Sequence, residues 1–140
     1  SSSLGRMFLI TGDLAFLHDS NGLLLAESEG PPLIILLIDN GGGGIFRLFQ
    51  VDTISKGSFE DVFVMPQKLN PLALAASHNI KCRQISCFGD FDVAIDWSLA
   101  QSGPVLLRVC TDSVRDAELR RELRLGLTNY LALILNKDSS

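Results

Sequence analysis

The chain predicts an α/β fold, a doubly wound, mostly parallel sheet with helices on both faces. Three observations predict it. Short runs rich in Leu, Ile and Val recur at Met7–Thr11, Leu33–Ile38 and Val105–Val109, each halted by turn residues. That is how strands buried on both faces of a parallel sheet read. Stretches of helical character alternate with them, in the order βαβ(α)αβαβα. Finally, the 140 residues are 46% apolar with slightly positive mean hydropathy, enough for one domain with a sizeable core.

Taken in order, Met7 to Thr11 is the first strand and Phe16 to Glu27 the first helix. Leu17, Leu24 and Leu25 fall near one face of that helix, and Asp19 lies early enough to favour its dipole. Gly30-Pro31-Pro32 breaks it. Leu33 to Asp39 is the second and most buried strand, followed by a glycine loop from Asn40 to Gly44 whose bare backbone can approach a ligand. Ile45 to Gln50 begins a short helix, and Gln50 to Ser58 reads as a polar surface loop. Asn70-Pro71 opens a helix to about Asn79, since proline is tolerated in a first turn. Ile80 to Ser86 alternates like a strand. Phe91 to Gln101 suits a helix with Val93, Trp97 and Ala100 on one side. Val105 to Val109 is another buried strand, and Asp116 to about Leu135 the last helix.

Composition excludes several classes of function. The net charge is −4, and Arg120, Arg121 and Arg124 are interleaved with Glu118 and Glu122. No basic stripe exists for nucleic acid; that cluster reads as a solvated helix face. Cys82, Cys87 and Cys110 lack the spacing of a zinc site and read as small core residues of a reducing compartment. No run reaches the ~18–20 apolar residues of a membrane helix. Ser1 to Arg6 is too short for a signal peptide and reads as a chain entered partway through something longer.

The chemistry concentrates at two strand ends. Gly12-Asp13-Leu14 closes the first apolar run, and Asn40 with Gly41-Gly42-Gly43-Gly44 closes the second, 27 positions after Asp13. Ligands of open α/β sheets bind beyond the carboxyl ends of the strands. A carboxylate, an amide oxygen and glycine carbonyls are hard donors suited to Mg²⁺ carrying a phosphorylated partner. Amides at the start of the following helix can donate to that phosphate. The bland alternative makes Asp13 a helix cap and Asn40 a turn residue. His18, five residues past Asp13, is a helix-packing residue that points away from the metal, and His78 carries no chemistry.

This spacing resembles the diphosphate-binding motif of thiamine-diphosphate enzymes. Gly12-Asp13-Leu14-Ala15-Phe16-Leu17-His18-Asp19-Ser20-Asn21-Gly22-Leu23 and Gly42-Gly43-Gly44-Ile45-Phe46 narrow it further. So do Phe59-Glu60, Phe63, Met65-Pro66-Gln67, Thr111-Asp112 and Arg115-Asp116-Ala117. These pieces resemble 2-succinyl-5-enolpyruvyl-6-hydroxy-3-cyclohexene-1-carboxylate synthases (SEPHCHC synthases) over roughly Met7 to Arg124. Those are enzymes of menaquinone and phylloquinone biosynthesis, with thiamine diphosphate and Mg²⁺ as cofactors.

The resemblance implies that residues 1–140 are one C-terminal thiamine-diphosphate-binding domain, a fragment of a longer enzyme. It implies Asp13, Asn40 and the Gly42 carbonyl as metal ligands, and Gly12, Asp13, Leu14, Ala15, Asn40, Gly42, Gly43 and Ile45 as cofactor contacts. Ile45, Phe46 and Phe49 wall the substrate pocket; for Ile45 and Phe46 the alternative is that they only seal the core. The implied reaction decarboxylates 2-oxoglutarate and adds the product to isochorismate. The activating Glu belongs to a separate pyrimidine-binding domain of a neighbouring subunit, so no catalytic residue is assigned in this chain. A homo-oligomer follows for the complete enzyme, cytoplasmic or in the plastid stroma. An apolar face that meets the other domain would drive the lone chain to self-associate.

Three departures bear on affinity. Ala15 replaces a Ser that could reach the diphosphate, while Asp39 and Gly41 flank Asn40 where Asn is commoner. Asp39 brings a second carboxylate, which either strengthens metal binding or points away. Phe49-Gln50 replaces Leu-Pro, leaving the loop geometry open. Two competing readings are another thiamine enzyme, such as an acetolactate synthase or 2-keto-acid decarboxylase, and a non-catalytic module that kept the fold.

Overall fold

In the computed structural model, residues 5–26, 31–48 and 56–137 are described. Four strands, β1 (Met7–Gly12), β2 (Leu33–Asp39), β3 (Lys81–Ile85) and β4 (Val105–Cys110), form one sheet. Every neighbouring pair is parallel, in the order β1-β2-β4-β3. The helices are α1 (Asp13–His18), α2 (Lys56–Phe59), α3 (Pro71–Ser77), α4 (Phe91–Leu99) and α5 (Ser113–Lys137). A π-helical turn, Glu60–Val64, continues α2, and 3₁₀ turns cover Ser20–Leu25, Gly44–Leu48 and Phe88–Asp90.

Strand order decides where the helices go. The chain steps from β1 to β2, skips a place to β3, then steps back to β4. Right-handed crossovers place the helices of forward and backward steps on opposite faces. Accordingly Phe16 of α1 and Ala75 of α3 share one core with Ile35, Leu37 and Leu106. Ala94 of α4 packs on the other face with Ile34, Val105, Leu107 and Ile85. The expected sheet with helices on both faces is thus present. β2 is the most completely buried strand, whereas Met7, Phe8, Leu9 and Ile10 of edge strand β1 are all substantially exposed. No described helix is long and apolar enough to cross a membrane.

The first helix differs from expectation. It starts at Asp13, ends at His18, and passes through Asp19 into a 3₁₀ turn. Ser20-Asn21-Gly22 is the reason: these are poor helix formers, and the Gly22 N–H closes a turn on the Asp19 carbonyl at 2.9 Å. Leu24 and Leu25 are consequently 71% exposed, and Phe16 and Leu23 fill the core instead. Asp13, not Asp19, is the first-turn acid.

α3 follows its sequence signals. The Asn70 side chain caps the Leu72 and Ala73 N–H groups, with Pro71 at the first position. In α4 the inward face is not Val93 and Ala100: Ala94 and Ser98 are buried, their small size letting the helix lie close to the sheet. Trp97 packs at that core's edge beneath Arg83, whose guanidinium lies 4.6 Å from the ring centroid. α5 begins at Ser113 because the Asp112 carboxylate caps the N–H groups of Val114 and Arg115. The cysteines are not all core residues. Cys82 is half-buried, but Cys87, just before the 3₁₀ turn that follows β3, and Cys110, at the end of β4, are exposed.

Candidate functional site

Parallel pairing builds the site. Gly12 of β1 is in register with Ile38 of β2, so Asp13 comes level with Asp39 at the carboxyl edge of the sheet. Asp13 is buried, and both its oxygens accept backbone hydrogen bonds. Oδ1 takes the Leu14 N–H at 2.8 Å, and Oδ2 takes the Gly42 N–H at 2.6 Å, across 29 residues of chain. That second bond joins the two halves of the sequence motif. Burial pushes the Asp13 carboxyl above its ordinary range, the two N–H groups pull it back, and the neighbouring Asp39 carboxylate raises it further.

The glycine loop is held from within. Gly41 and Gly42 have φ of 81° and 133°, conformations that L side chains rarely adopt. The Gly41 N–H donates to Asp39 Oδ1 at 3.0 Å, the Gly43 N–H to the Val64 carbonyl, and the Gly44 N–H to the Gly42 carbonyl at 2.8 Å. A Cβ on Gly42 would come within 2.1 Å of the Val64 carbonyl oxygen, and one on Gly43 within 2.1 Å of that of Phe63. Here the bare backbone admits the π-helical turn, another part of the same chain.

Strand alternation sends the side chains of residues 39 and 40 to opposite faces. Asp13 and Asp39 line a cavity of about 100 Å³ with Leu17, Gly41, Gln67 and Arg108. Asn40 lines a different one of about 200 Å³, with Gly44, Ile45, Ser113, Asp116 and Arg120. The structure therefore links Asp13 to Gly42 directly but does not place Asp13 and Asn40 in one cavity. Gly12 ends β1 with open space around it, and Leu14 follows Asp13 in the first turn of α1. Ala15 and His18 line a third hollow of about 520 Å³ beside α1 and β1, which Asp13 and Asp39 do not line. Ile45 is 63% exposed. Phe46 is half-buried edge-on to Phe63, with ring centroids 5.5 Å apart. Phe49 lies outside the described residues.

Sequence reasoning missed two ion pairs here. Arg108 of β4 places its Nη2 2.7 Å from Asp39 Oδ2, and its Nε donates to the same oxygen at 2.7 Å. The signal was available: a lone Arg in the apolar run Val105–Cys110 needs an anionic partner. Arg47 grips both oxygens of Glu60 at 2.7 and 2.8 Å and donates from Nε to Ser113 Oγ at 2.9 Å. It ties the turn after the glycine loop to the π-helical turn and to the start of α5. The hydrogen bonds from Arg47 lower the Glu60 carboxyl below its ordinary value.

The donor set suits a hard cation. Asn40 Oδ1 is buried without a hydrogen-bond partner, an acceptor that calls for one. The Gly42 carbonyl retains a lone pair after accepting from Gly44. With the Asp13 carboxylate, these are oxygen ligands of the kind Mg²⁺ takes when phosphate and water complete its shell. Among the described residues no group of three or more His, Cys, Asp and Glu is assembled for a metal.

Comparison with known proteins points the same way. Residues 3–109 match the family described as "Thiamine pyrophosphate enzyme, C-terminal TPP binding domain". The chain is 52% identical over 132 residues to a 2-succinyl-5-enolpyruvyl-6-hydroxy-3-cyclohexene-1-carboxylate synthase of Prochlorococcus marinus (strain MIT 9313), covering 94% of this chain and 23% of that protein. It is 54% identical over 133 residues to the synthase of the same name from Synechococcus sp. (strain CC9311), covering 95% and 23%. The chain thus spans about a quarter of the length of these relatives. Among solved structures, it resembles a thiamine diphosphate-dependent 4-hydroxybenzoylformate decarboxylase of Rhodococcus jostii RHA1, with a TM-score of 0.63 at 22% identity over 76% of this chain and 20% of that one. A benzoylformate decarboxylase from Polynucleobacter necessarius gives the same score at 16% identity, covering 77% and 20%. At those identities the likeness concerns the fold.

Proposed function

Since the chain belongs to the thiamine pyrophosphate enzyme family, as its C-terminal TPP-binding domain, we propose that it holds Mg²⁺ and thiamine diphosphate at the carboxyl edge of β1 and β2. Asp13 would supply the anionic ligand, with the Asn40 amide oxygen and the Gly42 carbonyl as neutral ones. Gly12, Leu14, Ala15, Gly43 and Ile45 would contact the cofactor, and Ile45 and Phe46 would face the substrate. The observation that carries this reading is the buried, unpartnered Asn40 Oδ1, beside a glycine loop already anchored to the Asp13 carboxylate. Bringing Asn40 and Asp13 onto one ion requires the loop to shift, and the internal bonds of Gly42 and Gly44 are the ones that would exchange.

The complete enzyme is read as a SEPHCHC synthase, decarboxylating 2-oxoglutarate and adding the product to isochorismate, on the strength of the 52–54% identity to synthases of that name. Bound thiamine diphosphate supplies the electron sink for the decarboxylation. The chain's own part is to grip the diphosphate end and to exclude water with Ile45 and Phe46. The activating Glu would come from a pyrimidine-binding domain of a neighbouring subunit. The exposed apolar β1 supports such a partner face, and a cytoplasmic setting fits the bacterial relatives.

Calorimetric titration with Mg²⁺ and thiamine diphosphate tests the site. Asp13→Ala and Asn40→Ala should both weaken binding, Asp13→Ala more severely; unchanged affinity in both would sink the assignment. The chain alone should release no CO₂ from 2-oxoglutarate, and adding the separately made upstream portion of a relative should restore turnover. Robust turnover by the 140-residue chain would overturn the reading that the activating Glu comes from another domain.

A further inference from the structure

Asp39 and Asp13 stand side by side at the edge where the cation is placed, yet their surroundings differ. Asp13 accepts two backbone N–H groups, those of Leu14 and Gly42, and contacts the Asp39 side chain, with no cationic partner among the described residues. Asp39 Oδ2 receives both Nε and Nη2 of Arg108 at 2.7 Å, and its Oδ1 accepts the Gly41 N–H at 3.0 Å. Arg108 in turn extends Nη1 to Gln84 Oε1 on β3, at 3.4 Å. One guanidinium therefore spans β3, β4 and β2, and its carboxylate partner fixes the turn that begins the glycine loop. The cavity lined by Asp13, Asp39 and Arg108 brings together two carboxyl groups and one guanidinium.

That count matters for what the cavity binds. Two free carboxylates would hold a divalent ion unaided and would repel a diphosphate. One free carboxylate with neutral oxygens holds Mg²⁺ weakly until phosphate oxygens complete the shell. We propose that Arg108 is a positioning residue that cancels the Asp39 charge and ties Asp39 to the loop, so that Asp13 alone presents net negative charge and cation binding depends on the diphosphate. The proposal rests on Asp13 being the anionic ligand. Asp39 is then a clamp and no metal ligand, and the departure from Asn at this position is balanced within the chain by Arg108.

The test uses the full chain with two probes, Mn²⁺ alone, followed by the electron paramagnetic resonance of the free ion, and Mg²⁺ with thiamine diphosphate by calorimetry. Arg108→Met should tighten Mn²⁺ alone by about tenfold or more and weaken the cofactor by a similar factor, since a unit charge a few ångströms away acts on both. Arg108→Met/Asp39→Asn removes both charges and should return both affinities to within about threefold of the unaltered chain, as cancelling partners do in a double-mutant cycle. Loss of Mn²⁺ or cofactor binding in the double variant would make Asp39 a ligand and overturn the proposal, as would unchanged Mn²⁺ affinity in Arg108→Met. If Arg108→Met fails to fold, the double variant, lacking the uncompensated carboxylate, decides alone. Failure of the underlying reading shows separately, as Asp13→Ala leaving both affinities intact.

Discussion

Replacing Gly42 with Ala separates backbone strain from lack of room, because Gly41 beside it has the first without the second. Both glycines have positive φ, 81° at Gly41 and 133° at Gly42. Around Gly41 a new Cβ meets nothing within 4 Å, so Gly41→Ala should cost only the conformational penalty, about 1–2 kcal/mol. At Gly42 the φ lies beyond the left-handed helical region, where strain is on the order of 1–3 kcal/mol. The Cβ would also lie 2.1 Å from the Val64 carbonyl oxygen, a backbone atom that no side-chain rotation can move away. The loop must then part from the π-helical turn, losing the Gly43 to Val64 hydrogen bond and straining the 2.6 Å bond to Asp13. Those bonds add roughly 1–3 kcal/mol, so Gly42→Ala should cost about 2–6 kcal/mol. Urea denaturation followed by Trp97 fluorescence measures both variants. Equal losses at the two positions would refute the reasoning, since the close approach would then contribute nothing.

The Arg47–Glu60 pair predicts a pH signature. The Glu60 carboxyl titrates below its ordinary value of 4.5, so the pair's contribution is fully present above that pH and is lost as pH falls through the lowered folded value. Urea midpoints of the unaltered chain and Glu60→Gln should therefore differ by a constant amount above pH 4.5 and converge below it; a gap that persists into the acid range would contradict this. Phe46→Ala should cost about 2–3 kcal/mol through lost contact with Phe63, whereas Ile45→Ala should change stability by less than about 0.5 kcal/mol, as melting of the two variants will show. Gly126 stands inside α5 with open space around it, and Gly126→Ala should raise stability by about 0.5–1 kcal/mol, read as a higher urea midpoint.

The elements most legible in the sequence were those whose signal is local. Leu33 to Asp39 reads as a buried strand because seven successive residues, apolar up to the last, admit no amphipathic helix, and β2 has those bounds. Asn70-Pro71 announces a helix start because an amide cap and a fixed φ act within one turn, and α3 follows. The first helix misled because Leu17, Leu24 and Leu25 look periodic, while Ser20-Asn21-Gly22 favours a local turn over helix continuation. Burial on α4 was misjudged for a different reason. Ala94 and Ser98 face the sheet because they are small, and closeness of packing has no pattern along the chain. Cys110 and Cys87 are apolar enough for a core but lie at and just beyond strand ends, where both are exposed.

For the site, the sequence by itself determined the chemical inventory and the strand ends that carry it. An Asp ending one apolar run and an Asn followed by glycines ending another come to the same carboxyl edge once the runs pair in parallel, as β1 and β2 do. What each oxygen then touches was decided only by the tertiary structure. The grip of Asp13 on Gly42 spans 29 residues, and that of Arg108 on Asp39 spans 69. Strand order brought β4 beside β2, and side-chain alternation turned Asn40 from Asp39 toward α5. Local propensity acts over a few residues and can be read along the chain. Hydrogen bonds and ion pairs are short-ranged in space but indifferent to sequence distance, so their partners are settled only when the whole sheet is assembled.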